Sequence, residues 1–160
     1  MGTPVAGMSS LLGEYNCKLD AKGRLKMPAG LKRQFHPDDK GRFVIKRGID
    51  ACLELYSWSE WQRHSAKVKA RLNPFREDHR TFERIYFSGA TELEMDSSDR
   101  VLVPRALIDH AGFGKEIVLS ARNSKVELWD KSRYESAVTM DAKDFASLAE
   151  DVMGTFDDGE

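Results

Sequence analysis

Two stretches hold the residues most able to do chemistry: "LDAKGRLKMP" at 19–28 and "MDSSDRVLVP" at 95–104. Each sets an aspartate four positions before an arginine, with a proline four positions further on. A carboxylate and a guanidinium at that separation meet if the residues between them form a tight turn. Aspartate favours the start of such a turn because its side chain accepts backbone N–H groups of the next residues. Gly23 supplies a residue free to adopt positive φ. A partly exposed pair of this kind contributes at most about 1 kcal/mol to stability, so its larger effect is orientation. A held guanidinium turns several planar donors outward, which suits two acceptors on a guanine edge or a phosphate. Lys22 at the tip and Lys18 and Lys26 on the flanking strands would add phosphate contacts. Such a turn is either a plain hairpin ion pair or a contact to nucleic acid; on the second reading the candidate contacting residues are Arg24, Lys22, Lys18 and Lys26, with Asp20 and Gly23 orienting them, and Asp96 with Arg100 repeats the motif.

The recurrence belongs to a longer duplication. With an offset of 76, "GEYNCKLDAKGRLKMPAGL" (13–31) overlies "GATELEMDSSDRVLVPRAL" (89–107), matching at Gly, Asp, Arg, Pro and the final Leu. The pairing continues at an offset of 73, where "LELY" (53–56) faces "VELW" (126–129) and Trp61 faces Tyr134. The three-residue difference is expected between Gln34 and Arg42, in a loop.

Each unit reads as strand, turn, short strand, short helix, strand, strand, helix. Strands are expected at 15–19, where apolar and polar residues alternate, and between turn residues at 24–27, 43–46 and 52–56, with their repeat counterparts at 91–95, 100–103, 117–121 and 126–129. Pro28 and Pro104 open the short helices, since a first turn tolerates the missing N–H. Ser57 and Glu60 have capping-box spacing ahead of a longer helix. Asn73 and Pro74 break it before a second helix carrying Phe82, Ile85 and Tyr86, which links the units. Phe145, Leu148, Ala149 and Val152 form an amphipathic stripe behind the cap candidate Asp141. A unit of some fifty residues can hardly bury its own apolar face, so it is expected to pair with its copy as a fused pseudo-dimer. The fold class is α+β. Five segments follow: a leader at 1–8, expected to be disordered, a first unit with its trailing helix at 9–72, a linking helix at 73–88, a second unit at 89–138, and a C-terminal helix with an acidic tail at 139–160.

Composition excludes several classes. There is no run of 18 apolar residues and no basic start followed by an apolar stretch and a cleavage site, so neither a membrane span nor a secretory signal is expected. The two cysteines form no CxxC and read as buried hydrophobes. Four scattered histidines, no HExxH, no nucleophile elbow and no phosphate-binding glycine loop argue against an enzyme, a metal site or a cofactor. Net charge is −1, but it is unevenly spread: the segment 14–47 holds a local excess of six positive charges, and 141–160 an excess of six negative.

The tandem Asp-x-x-x-Arg motifs, the "LDAKGRLKMP" form of the first, and the LELY and VELW strands resemble the bacterial MraZ family over roughly residues 8–152. That family is similar to AbrB/SpoVT-type DNA-binding proteins with a swapped-hairpin fold. The resemblance implies a cytoplasmic, nucleoid-associated regulator that forms a ring, commonly an octamer. It would bind double-stranded DNA at direct repeats in the promoter of the division and cell wall gene cluster, with Arg24 and Arg100 as the contacting arginines. It also includes a proposed inhibitory contact with an rRNA methyltransferase. Asp99 departs from the pattern by standing where the family usually keeps glycine, and Glu92 and Glu94 replace Asn16 and Lys18 of the first unit. These acids would repel phosphate, so Arg24 is expected to outweigh Arg100.

Overall fold

The computed structural model describes residues 10–154. The leader expected at 1–8 and the end of the acidic tail, 155–160, fall outside them. In chain order the elements are β1 (Leu11–Lys18), β2 (Arg24–Lys26), α1 (Ala29–Lys32), a 3-10 turn (Pro37–Asp39), β3 (Arg42–Arg47), β4 (Leu53–Ser57), α2 (Trp58–Ala70) and α3 (Glu77–Tyr86). The second half adds β5 (Thr91–Glu94), β6 (Arg100–Leu102), α4 (Arg105–Ala111), β7 (Glu116–Asn123), β8 (Lys125–Asp130), α5 (Lys131–Ala137) and α6 (Ala142–Met153).

The two repeats are interleaved. A six-stranded antiparallel sheet runs β1-β7-β8-β4-β3-β5, and β2 pairs with β6 in a separate two-stranded ladder. Exchanging each strand for its repeat partner returns the same order, so the chain has an internal two-fold. The first strand of each unit lies against the third strand of the other: β1 on β7, β5 on β3. The axis passes between Leu25 and Val101 in the small ladder and between Glu54 and Glu127 in the large sheet. This is the swapped pseudo-dimer expected from the duplication.

The registers refine the repeat alignment. Tyr15 opposes Leu119 and Thr91 opposes Ile45, which sets β3 and β7 at an offset of 74. Two of the three extra residues thus lie before β3 and the third lies in the β3–β4 turn, rather than all three before Arg42. The unbroken apolar runs at 43–45 and 117–119 tolerate a shift of one residue, so sequence alone fits either alignment.

Strand alternation sends Leu53, Leu55, Val126 and Leu128 to one face of the large sheet. There they join Leu25, Leu31, Val101 and Leu107 in the core, so the small ladder closes over that face. The other face is polar in type yet buried, carrying Lys46, Glu54, Tyr56, Glu127 and Trp129. Helices α2 and α3 cover much of it. Tyr56 stacks on His64 at 4.8 Å, the His64 Nε2 and Tyr86 hydroxyl are 2.7 Å apart, and the Lys46 ammonium sits 3.8 Å from the centre of the Tyr86 ring.

Helix ends follow local chemistry. Pro28 and Pro104 stand one position earlier than expected, as N-caps in extended conformation. Ser57 caps α2 by accepting the Glu60 N–H at 3.4 Å, while the Glu60 carboxylate bonds Arg63 instead of returning to the cap. Asp39 supports the same end, accepting from the Ser59 N–H at 3.0 Å and its hydroxyl at 2.8 Å.

Candidate nucleic-acid interface

The Asp20 turn is built around one carboxylate. Oδ1 accepts the Lys22 N–H at 2.9 Å and the Arg24 N–H at 2.8 Å, and Oδ2 accepts Arg24 Nε at 2.8 Å. The second turn repeats the pattern: Asp96 Oδ1 accepts from Ser98 at 2.8 Å and Arg100 at 3.0 Å, and Oδ2 accepts Arg100 Nε at 3.2 Å. Among the described residues neither guanidinium has a further partner, so the terminal nitrogens of both arginines face outward. The two arginine side chains are 32% and 36% exposed, which means held yet accessible.

The small ladder then aligns the two turns. Leu25 and Val101 point into the core, so Arg24, Lys26, Arg100 and Leu102 share the outward face. Lys26 opposes Arg100 directly and Arg24 opposes Leu102. Strand geometry places the two arginine Cα atoms about 8 Å apart on the diagonal. Each turn is also tied to the opposite strand, the Met27 N–H donating to the Asp99 carbonyl at 2.8 Å and the Val103 N–H to the Gly23 carbonyl at 2.9 Å. The pseudo-dimer, not either unit alone, makes this face.

Of the residues named from sequence, Arg24, Lys26 and Arg100 come together here, and Lys22 is exposed at the turn tip. Asp20 and Asp96 hold the arginines as expected, and Gly23 has φ +86. Lys18 sits at the end of β1 in the large sheet, opposite Glu116. Two cross-repeat ion pairs carry no short-range sequence signal. Lys32 Nζ lies 3.0 Å from Asp99 Oδ1, and Arg42 Nε lies 2.8 Å from Glu92 Oε2 while its guanidinium covers Trp58. Two of the acids expected to repel phosphate around Arg100 are thereby paired with cations of the first unit.

Both turn carboxyls are held below their ordinary range, first by the hydrogen bond from the backbone N–H of Arg24 or Arg100. A depressed folded value means the charged carboxylate supports the turn in full above the ordinary value near 3.9, and that support is lost as pH falls through the folded value. The Lys22 and Arg24 amide resonances are therefore expected to hold steady from pH 8 to 5 and to move together only below about pH 4. A transition near pH 6 would contradict this assignment.

Burial pushes the Cys17 thiol up to about 11 and Cys52 to about 12, so neither is a ready nucleophile. Among the described residues no His, Cys, Asp and Glu cluster suits a metal ion, and no helix is long and apolar enough to cross a membrane.

The family model described as MraZ protein matches this chain twice, over residues 10–85 and 86–155. The chain is 44% identical to the transcriptional regulator MraZ of Christiangramia forsetii across 94% of its own length and 97% of that protein. It is 41% identical to the protein of that name from Flavobacterium psychrophilum, covering 96% and 98% of the two chains. A more distant relative so named, from Heliobacterium modesticaldum, is 39% identical over 87% of this chain and 94% of its own. Two matched units joined in one interleaved sheet, and relatives of this identity along nearly the whole length, place the chain in the MraZ family.

Proposed function

We propose that this protein is a transcriptional regulator that binds duplex DNA through the outward face of the β2–β6 ladder, as a ring of copies engaging direct repeats in the promoter of the division and cell wall gene cluster. Relatives named as transcriptional regulators along nearly the full length support the regulatory role. The observation that carries the DNA reading is the pair of carboxylate-held arginines, Arg24 and Arg100, facing the same side with Lys26 between the turns. Such a face combines donors for base edges with cations for phosphates. The proposed contact set is Arg24, Lys22, Lys18, Lys26 and Arg100, and units 9–72 and 89–138 each contribute one turn.

One ladder touches few base pairs, so affinity for spaced repeats comes from several linked copies. The surface of α6 supports assembly. Phe145, Leu148 and Val152 are exposed along it, beside Asp144, Glu150 and Asp151. An isolated helix of 12 residues is marginal in water without a packed face. On the opposite repeat, Phe82 and Ile85 are exposed on α3, and α2 before it ends in Lys67 and Lys69, with Lys69 Nζ 5.3 Å from the centre of the Phe87 ring just beyond α3. Two unlike, complementary patches on one chain suit head-to-tail contact, which closes into rings.

The test is a footprint on the upstream region of the protein's own operon at two salt concentrations, with the mass in solution measured in parallel. Protection at evenly spaced repeats that fades steeply with salt is expected, together with a multimeric mass. A monomer, or no protection at low ionic strength, would defeat the reading.

A further inference from the structure

Among the positions where the internal two-fold is broken, one couples the two repeats directly. Asp99 occupies the place in the second turn that Gly23 occupies in the first, and Lys32 of α1 occupies the place of Ile108 in α4. In the first turn the glycine lies under Ile108: a Cβ there would come within 3.1 Å of Ile108 Cδ1 and 3.2 Å of the Val103 carbonyl oxygen. In the second, Asp99 adopts φ +63 and its carboxylate accepts from Lys32 Nζ at 3.0 Å. One repeat has glycine against isoleucine, and the other aspartate against lysine. The two substitutions sit on different repeats in sequence and against each other in space.

The location gives the exchange a consequence. Asp99 immediately precedes Arg100, and its carbonyl is bonded to Met27, one residue beyond Lys26. The Lys32 ammonium is therefore held at the margin of the face that carries Arg24, Lys26 and Arg100. Both partners are substantially exposed, at 48% and 36%. A pair in such surroundings is worth at most about 1 kcal/mol, weak enough for a mutation to release without unfolding the turn. Ser98 also replaces Lys22 in the second turn, so that side has no tip cation of its own.

We infer that Asp99 withholds Lys32 from the DNA backbone and so attenuates the second turn, leaving the first to dominate binding. This rests on the β2–β6 face being the DNA-binding face. Lys32 is a latent phosphate-contacting residue, and Asp99 is the residue that sets whether it takes part. Freed, Lys32 would restore to the second turn the kind of cation that Lys22 gives the first.

The test measures affinity against salt for a duplex of the upstream region and for a random duplex of equal length. It compares wild type, Lys32→Ala, Asp99→Gly and the double variant Asp99→Gly/Lys32→Ala. Asp99→Gly is expected to bind both duplexes more tightly, with a log-affinity against log-salt slope steeper by about one per engaged chain. The double variant should return to the wild-type slope, and Lys32→Ala alone should leave it unchanged. Asp99→Asn, which also tolerates the left-handed backbone, should move the slope in the same direction as Asp99→Gly. An unchanged slope in Asp99→Gly and Asp99→Asn, a steep slope retained in the double variant, or a shallower slope in Lys32→Ala alone would each overturn the inference while leaving DNA binding intact. Wild type that ignores both duplexes at low salt would instead remove the underlying reading and the role of Asp99 with it.

Discussion

Replacing Glu54 by alanine is expected to lower the free energy of unfolding by roughly 3–5 kcal/mol. Glu54 is 2% exposed and answers two lysines, Lys125 Nζ at 2.8 Å and Lys46 Nζ at 3.3 Å, while the Tyr56 hydroxyl donates to it at 3.1 Å. Burial by itself would raise its carboxyl, and the Lys125 hydrogen bond with the Lys46 charge more than offsets this, leaving it below its ordinary value. Lys46 has no exposed surface, and burial holds its ammonium below the usual lysine range. Without Glu54, Lys46 keeps, among the described residues, only the Arg47 carbonyl and the Tyr86 ring. An uncompensated buried cation is the costly outcome, whereas removing both charges together can be close to neutral. The comparison is between Glu54→Ala and the double variant Lys46→Met/Glu54→Leu in urea. The single variant should unfold much earlier and the double should recover most of the loss. A single variant within 1 kcal/mol of wild type, on the order of a surface substitution, would show that the charges are not dry.

Arg24→Ala is the second large effect, and it falls on binding rather than folding. The Arg24–Asp20 pair is partly exposed, so its loss should change stability by no more than about 1 kcal/mol. A well-placed arginine contact to a base is worth roughly 1–3 kcal/mol of discrimination, and in the proposed ring the same loss would recur at every engaged copy. Specific binding is expected to vanish in a mobility-shift titration while the melting curve barely moves. Arg24→Lys keeps the charge and discards the planar fork, so it should retain binding to random duplex and lose preference for the repeats. Arg100→Ala is expected to weaken binding less, because Ser98, Asp99 and Glu94 replace Lys22, Gly23 and Lys18 around it. Equal losses for Arg24→Ala and Arg100→Ala would refute that ranking.

The sequence made some of this legible for physical reasons. Asp20 and Arg24 are four residues apart, so their contact is local, and the repeat at Asp96 and Arg100 showed that the spacing was not accidental. The duplicated apolar alternation also announced the pseudo-dimer. What stayed hidden depends on contacts across the repeats. "FVIK" and "LELY" read from sequence only as strands, with nothing to pair their polar residues, yet both faces of β3 and β4 are covered, and Lys46 and Glu54 become a buried pair. Asp99 reads as an added negative charge until α1 brings Lys32 to it from 67 residues away. Charge written along a chain says little about charge presented at a surface.

The internal two-fold also alters what evolution can do with the molecule. In a dimer of identical chains every substitution appears on both sides of the axis, so a change that suits one binding turn is imposed on the other. Covalent fusion removes that obligation. Gly23 with Ile108 and Asp99 with Lys32 are answers to the same steric problem that only a fused pair could adopt side by side.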